Sequence, residues 1–502
     1  MSKTTALSKS KILAYRQCPK RLWLEVHSPG LSQDSAATQA RFAVGDKVGD
    51  IAQQLYDPDG VGALIDPHTE GFTAAFQRTA DLLESSLPIF EAGFRAEGAL
   101  AFADVMLPVE ESGKAAWRMV EVKSSTSVKD YHRDDVAIQS FVARNSDVPL
   151  TEVALAHIDN TWIYPGDGDY LGLLREVDLT QESLQREAEV RGWIAEAQQI
   201  VALPEAPNTA MGPQCTNPYA CGFLNHCQSQ TPSAEHPIAW LPGRLKKDLK
   251  QHIEANALTE LRDLPDDLLS EKQKRIKTVT VSGEPYFDQQ ATREALVAHS
   301  LPAYFMDFET IDFAVPIWKG TRPYQKIPFQ FSVHCLSPTG KLGHDGFLDL
   351  SGDEPSSAFA EALISACGDT GPIYVYNEGF EKRVIRELAE RLPHLAESLL
   401  ALNARVVDLL PLARAHYYHP SQQGSWSIKD VLPALCPDLR YDDLDGVQDG
   451  AMAMVRFLEA LDPTTSDARK AQIDRELEEY CKLDTYAMVR MWAIFSGEEL
   501  TA

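Results

Sequence analysis

The apolar run Ala303-Tyr304-Phe305-Met306 leads directly into Asp307-Phe308-Glu309. Such a segment reads as a buried strand, and alternation along a strand sends Asp307 and Glu309 to the same face. Downstream, Tyr480-Cys481-Lys482-Leu483-Asp484 lies in a helical pattern over Ile473–Phe495. Four-residue spacing puts Tyr480 and Asp484 on one side of that helix. Between them stands Tyr376-Asn377-Glu378-Gly379-Phe380-Glu381. Carboxylates delivered to one spot by several elements are what binding a pair of divalent cations requires.

The chain has 502 residues, more than one ordinary core accommodates, so several domains are expected. Hydrophobic residues make up 44% and charged residues 24%, both ordinary for a soluble globular protein. No apolar run reaches membrane-spanning length and the start of the chain lacks a signal-peptide core, so no membrane partner and a cytoplasmic location are expected. The net charge of −26 argues against a general nucleic-acid coat. It does not argue against a site that is itself acidic and metal-loaded. Basic residues are clustered: Lys9, Lys11, Arg16, Lys20 and Arg21 near the start, then Arg244, Lys246, Lys247 and Lys250, then Lys272, Lys274, Arg275 and Lys277. These clusters suit either phosphate contacts or solvated helix faces.

Residues 1–230 read as one unit: a helix over Ser8–His27, a Gly-rich loop around 57–71, and a helix over Phe72–Leu87. Strands follow at Pro88–Phe94, Ala99–Leu107 and Trp117–Lys123, then a helix over Asp134–Ala143, a strand over Glu152–Ile158 and a helix over Gln181–Val201. Residues 231–300 read as a polar helical connector, with a phrase at Ile253–Leu261 that faintly resembles a helix–hairpin–helix module. Residues 301–502 read as a second unit, with strands at Tyr304–Asp307, Phe329–His334 and Ile373–Tyr376 and helices over Glu381–Arg391 and Ile473–Phe495. The fold class is therefore multidomain α/β.

Residues 301–495 resemble the DnaQ-like 3′→5′ exonucleases of the ribonuclease-H-like fold, on Asp307 and Glu309, then Asn377, Phe380 and Glu381, then Tyr480 and Asp484. The resemblance implies that Asp307, Glu309, Glu381 and Asp484 hold two Mg²⁺ or Mn²⁺ ions and that Tyr480 orients the attacking water. Position 381 is Glu where the family usually has Asp. The stretch Thr321–Ser332 is similar to a bacterial branch that carries this domain behind a nuclease-like one.

In the first unit, Asp104 closes Ala101-Phe102-Ala103, and Glu121-Val122-Lys123 puts an acid and a lysine on one strand face. This pattern resembles the RecB-like PD-(D/E)XK nucleases of the restriction-endonuclease-like fold. It implies Asp104 and Glu121 as metal ligands, Lys123 for the water or the charge at phosphorus, Gln139 on the next helix, and Glu91 on the preceding strand. Gly45-Asp46-Lys47-Val48-Gly49 carries no His where these enzymes often have one.

Eight cysteines in a chain of this size are not a disulfide framework. Cys215, Cys221 and Cys227 form a close triplet, and Cys18 lies far upstream. One early cysteine and a late triplet flanking the nuclease motifs resemble the iron–sulfur staple of RecB-like nucleases, which implies a [4Fe–4S] cluster, with zinc as the runner-up. Cys335, Cys367, Cys436 and Cys481 read as core residues; His132, His416 and His419 read as structural, and His226, beside Cys227, as a surface neighbour with a further ligand as the alternative. The resemblances together imply a metal-dependent nuclease, a 3′→5′ exonuclease on single-stranded DNA ends, in DNA repair or defence against foreign DNA. An RNA-processing exonuclease and a non-catalytic, nucleic-acid-binding scaffold remain the alternatives.

Overall fold

The computed structural model describes residues 6–33, 36–230, 234–444 and 446–500, without the side chains of 36–42 and 442. The chain forms two compact units, Met1–Pro232 with Phe313–Gln325, and Ser233–Asp312 with Lys326–Ala502. Both mix helices and strands. No described helix is long and apolar enough to cross a membrane.

In chain order the first unit contains β1 (Leu7–Ser8), α1 (Lys9–Gln17), α2 (Pro19–His27), α3 (Ala36–Tyr56), β2 (Ala63–Leu64), α4 (Pro67–Glu70), α5 (Phe72–Leu82), β3 (Ile89–Ala96), β4 (Ala99–Glu111), β5 (Lys114–Lys123), α6 (Asp130–Arg144), β6 (Leu150–Ile158), β7 (Leu174–Asp178), α7 (Thr180–Gln185), α8 (Glu187–Val201) and α9 (Leu224–Gln230). The sheet order is β2-β3-β4-β5-β6-β7, with β1 beside β4. β3, β4 and β5 are antiparallel neighbours, and β5 and β6 run parallel across the α6 crossover. Two tight turns set the meander: Glu97-Gly98 and Ser112-Gly113 all have positive φ, the twist that joins antiparallel strands in two residues. Strand alternation sends Ile89, Met106, Met119 and Leu155 to a core shared with α1, α6 and α8. Their neighbours Phe90, Val105, Val120 and Ala154 go to the opposite face. The sheet is thus covered on both sides.

The expected helix over Ser8–His27 is two helices. Cys18 is extended (φ −163°, ψ 121°) and Pro19 begins the second. The pyrrolidine ring disfavours a helical residue before it, so the chain turns at Cys18. Leu82 ends the helix expected to reach Leu87, and the one expected over Gln181–Val201 divides between α7 and α8. The expected Gly-rich loop at 57–71 contains β2 and α4.

The second unit contains α10 (Lys247–Asn256), α11 (Glu271–Ser282), β8 (Tyr286–Phe287), α12 (Gln289–Leu296), β9 (Ala303–Ile311), β10 (Ile327–Leu336), β11 (Leu342–Leu348), α13 (Ser356–Cys367), β12 (Ile373–Val375), α14 (Gly379–Arg391), α15 (Ala396–Ala404), β13 (Val406–Asp408), α16 (Leu409–His416), β14 (Tyr417–Tyr418), α17 (Ile428–Leu435), α18 (Gly450–Leu461) and α19 (Asp467–Ser496). Its main sheet runs β11-β10-β9-β12-β13. β10 is antiparallel to both neighbours, whereas β9, β12 and β13 are parallel. On β9, Ala303 and Phe305 face a layer that includes α19, while Tyr304, Met306 and Phe308 face a layer built by α13, α14 and α15. The stretch expected as a connector, 231–300, is not a separate body. In its described part Leu249, Leu261, Leu264 and Ile276 are buried in the same layer as α19. The leucine periodicity is a core pattern rather than that of a spacer.

Gly424 pins this layer to the rest of the unit. Its φ is +84°, and a Cβ there would stand 1.9 Å from the backbone oxygen of Trp240. Neither the backbone carbonyl nor the left-handed conformation yields cheaply to a side chain. Gly424→Ala is therefore expected to destabilise the full-length protein by about 3 kcal/mol. Thermal unfolding followed by tryptophan fluorescence should show a drop of several degrees; an unchanged transition would contradict the close approach.

Candidate functional site

In the second unit β9 holds Asp307 and Glu309 on the face that meets α19, and α19 supplies Tyr480 and Asp484 one turn apart. Ligand oxygens of Asp307, Glu309 and Asp484 all lie within 4.8 Å of one another. Among the described residues no other set of three His, Cys, Asp or Glu ligand atoms meets that spacing. Glu309 and Asp484 are buried, and Asp307 is partly open to solvent. Burial is the main force on all three. With Asp484 added it pushes Glu309 up to about 8, and it raises Asp484 to about 6. Enclosure and the charges of Asp484, Glu381 and Glu309 hold Asp307 well above the usual range. Hydrogen bonding from Tyr480 favours the ionised forms of both Glu309 and Asp484.

Glu381 stands in the first turn of α14 and is 4% exposed. It lies outside the close triplet, because α14 packs its Val384, Ile385 and Leu388 in the other layer. Its charge still reaches Asp307. Burial raises it to about 7, and Asp408 adds to the rise. One of its oxygens, Oε2, is buried with no hydrogen-bond partner. An all-oxygen donor set with a surplus of enclosed negative charge and an unpartnered carboxylate oxygen fits hard divalent cations such as Mg²⁺ or Mn²⁺.

Three further residues complete the surroundings. The Tyr441 hydroxyl donates to Asp484 Oδ1. Lys429 Nζ lies 5.4 Å from the Tyr480 ring and 5.3 Å from that of Tyr441, and its charge favours ionised Glu309 and Asp484. Asp449, the N-cap of α18, adds negative charge near Glu309. Lys429, Arg440, Tyr441 and Asp449 line a cleft of about 480 Å³. Nothing in the motif spacing points to Tyr441 or Asp449.

In the first unit β4 and β5 present Asp104, Glu121 and Lys123, and α6 presents Gln139. Gln139 Nε2 donates to Glu121 Oε2 at 2.6 Å and to Asp135 Oδ1 at 2.9 Å. Two lysines bridge the same pair of acids. Lys9 Nζ is 3.1 Å from Glu121 and 3.0 Å from Asp135, and Lys123 Nζ is 2.7 Å from Asp135 and also bonds Glu121. Asp104 accepts the Val122 N–H at 2.7 Å. Burial and Glu121 hold Asp104 well above the usual range, whereas the two lysines draw Asp135 below it despite burial. Glu91 is raised by burial and by Glu121, Asp46 adding to the rise. It sits at φ +55° on β3, where the ladder skips its pairing with Asp104. A non-glycine residue in that region within a strand stores strain, and such strain concentrates at functional positions. A cleft of about 400 Å³ is lined by Lys9, Asp46, Glu91, Asp104, Glu121 and Lys123.

All five sequence-selected residues of this unit therefore meet in one place. Lys9, Asp46 and Asp135 were missed as members of the site. Asp135 had a signal, since it precedes Gln139 by one turn of α6. Asp46 occupies the Gly45–Gly49 segment, where the usual His is missing. Lys9 came only as part of a basic cluster whose other members act elsewhere, Arg16 on Asp134 and Arg21 on Glu25. Lys123 is engaged in ion pairs rather than free. This centre neutralises itself internally, whereas the one in the second unit does not.

Cys18, Cys215, Cys221 and Cys227 line one small pocket with Lys20, Arg21 and Phe223. Gln17 ties the break after α1 to the late loop, donating to the carbonyls of Gln214 and Tyr219 at 2.8 Å each. Burial pushes the Cys221 and Cys227 thiols up, and each feels the charge of Cys18. No three of the four sulfurs lie within 4.8 Å of one another. Of the remaining cysteines, Cys367, Cys436 and Cys481 are buried and Cys335 is half-buried.

A family described as a domain of unknown function (DUF2779) matches residues 304–427. The match spans Asp307, Glu309, Glu381 and Asp408 but ends before Lys429, Tyr480 and Asp484. No curated protein matches the chain.

The crowded carboxylates generate a pH signature. From its ordinary 4.5 to about 8, Glu309 keeps a proton in the folded protein that the unfolded chain has released. Stability of the metal-free protein therefore falls as pH rises through that window. Glu309→Gln removes the contribution, so in EDTA the variant's Tm is expected to gain on the native protein's from pH 5 to pH 8. A Tm difference independent of pH would place Glu309 in solvent.

Proposed function

We propose that the protein is a metal-dependent nuclease that hydrolyses phosphodiester bonds. The observation that carries this reading is the convergence of Asp307, Glu309 and Asp484 within 4.8 Å, with Tyr480 beside them. Supporting it, the β11-β10-β9-β12-β13 order with β10 antiparallel is the arrangement expected of a ribonuclease-H-like domain. The first unit's three antiparallel strands, crossover helix and parallel strand fit a restriction-endonuclease-like core. Polarity, 3′→5′, and preference for single-stranded DNA ends over RNA rest on the resemblance of the motifs, as does a role in DNA repair or defence.

Asp307, Glu309 and Asp484, with Glu381 opposite, would hold the divalent cations. When bound, these supply charge stabilisation at the phosphoryl group and a lowered pKa for water. The protein's own groups do the rest. Tyr480 hydrogen-bonds Glu309 and Asp484, which favours their ionised forms, and would orient the attacking water. Tyr441 holds Asp484 from the far side. Lys429 brings a fixed positive charge next to Tyr480, where negative charge would develop. In the first unit Asp104, Glu121 and Glu91 would form the second metal site, with Lys123 and Lys9 already countering Glu121.

Asp307→Asn and Asp484→Asn should each lower Mg²⁺- or Mn²⁺-dependent nucleotide release from end-labelled single strands. The loss should exceed the roughly 10–100-fold typical of residues that merely support a metal ligand. Variants that degrade the strand as fast as the native protein would end the exonuclease reading. Matched DNA and RNA oligonucleotides in competition identify the polymer.

For the four cysteines we propose a [4Fe–4S] cluster. In a tetrahedral zinc site, with Zn–S bonds near 2.3 Å, sulfurs stand only about 3.8 Å apart. The four thiols surround one pocket, and no three of their sulfurs meet within 4.8 Å. A cubane takes each thiolate on a different iron and suits the wider spacing. Anaerobically purified protein should be brown and hold about four irons per chain, and Cys227→Ser should bleach it and lower its Tm. A colourless protein carrying one zinc would assign the site to zinc instead.

A further inference from the structure

The basic run on α11 separates into paired residues and one that is not. Lys274 pairs with Glu271 at 2.7 Å and Lys277 with Asp266 at 2.7 Å. Arg275 donates to the Ala415 carbonyl and stacks over Tyr286. Lys272 instead lies over the Trp426 ring, 4.2 Å from its centre, and makes no ion pair among the described residues. Arg414, on α16, is exposed and likewise makes no ion pair among them. The two cations line one cleft of about 730 Å³, whose other walls include Tyr376, Asn377 and Trp426. Burial together with Arg414 and Arg275 pushes the Lys272 ammonium down, so these positive charges repel one another. In a chain of net charge −26, two cations kept together with no ion pair among the described residues, although Asp408 and Asp430 lie by the same wall, favour an anion between them.

The cleft is continuous with the elements that build the acidic centre. Tyr376 and Asn377 lie just before Glu378, the N-cap of α14, whose first turn carries Glu381. Asn377 is held at φ +80°, its N–H donating to Asp408 at 2.9 Å, and Asp408 adds to the rise in Glu381. On the other wall Ser427 and Ile428 line the cleft, and the next residue, Lys429, reaches Tyr480. An anion seated on Lys272 and Arg414 would thus lie along the approach to the carboxylates.

We propose that this cleft holds the backbone of a single-stranded nucleic acid next to the bond being cut, with Lys272 and Arg414 on its phosphate and the ring-lined wall of Tyr376 and Trp426 against the sugar. The inference rests on the nuclease reading and names the groups that grip the substrate. Cations interleaved with aromatic rings are the chemistry of sequence-tolerant strand binding.

The test is binding of a fluorescent oligothymidylate in EDTA to the full-length Asp484→Asn protein, with and without Lys272→Gln/Arg414→Gln. The double variant is expected to bind more than tenfold more weakly. Its plot of log affinity against log salt should be shallower by roughly 0.7 for each phosphate that the protein no longer neutralises. Lys274→Gln/Lys277→Gln, on the same helix, should leave both unchanged, and circular dichroism melts confirm that each variant folds. Binding and slope unmoved by the double variant would overturn the proposal, as would competition by polyglutamate as effective as by oligonucleotide. Absence of any cleavage by the native protein with Mg²⁺ or Mn²⁺ would instead strike the nuclease reading, whatever the binding shows.

Discussion

Crowded negative charge, enclosed and left uncompensated, is the constraint around which the second unit is arranged. Asp307 and Glu309 cannot avoid each other, because the alternation of β9 fixes them on one face. Asp484 is brought against them by the burial of α19, whose apolar positions flank it on both sides. Hydrophobic packing therefore holds together what electrostatics would drive apart. The neighbours ease the conflict only in part: Tyr480 and Tyr441 donate hydrogen bonds and Lys429 lends a charge, yet the carboxylates still sit above their ordinary proton affinity. Like charges kept close in a low-dielectric setting are a poor choice for stability and a good one for capturing cations.

The first unit solves a similar problem differently. Its acids are no less buried, but Lys9 and Lys123 are drawn in among them, and Glu121 and Asp135 each contact both lysines. A cation entering here must compete with ammonium groups already in place. The strained backbone at Glu91 marks the same spot. The two centres thus differ in how far their buried acids are neutralised from within.

Legibility in the sequence followed the distance along the chain over which each residue finds its partner. Asp307 with Glu309, Tyr480 with Asp484, and Glu121 with Lys123 were visible because each pair is set by the period of a single element. Asp135 and the break at Cys18-Pro19 were also written locally, in a one-turn spacing and a proline, though motif spacing alone did not single them out. Lys9, Tyr441 and Asp449 were not legible. Each reaches its centre through the tertiary fold, and Lys9 lies 112 residues from Glu121. The connector was misjudged for a related reason. Its apolar spacing is the same whether a helix lines a spacer or a core, and only the partner layer decides.

The path of the chain between its two units has an evolutionary and practical consequence. Because Phe313–Gln325 belongs to the first unit while the strands before and after it belong to the second, the polypeptide crosses over three times. Neither half is a contiguous cassette. Recombination at a single point cannot transplant one without severing the other, so the pair is expected to be inherited, lost or duplicated as a block.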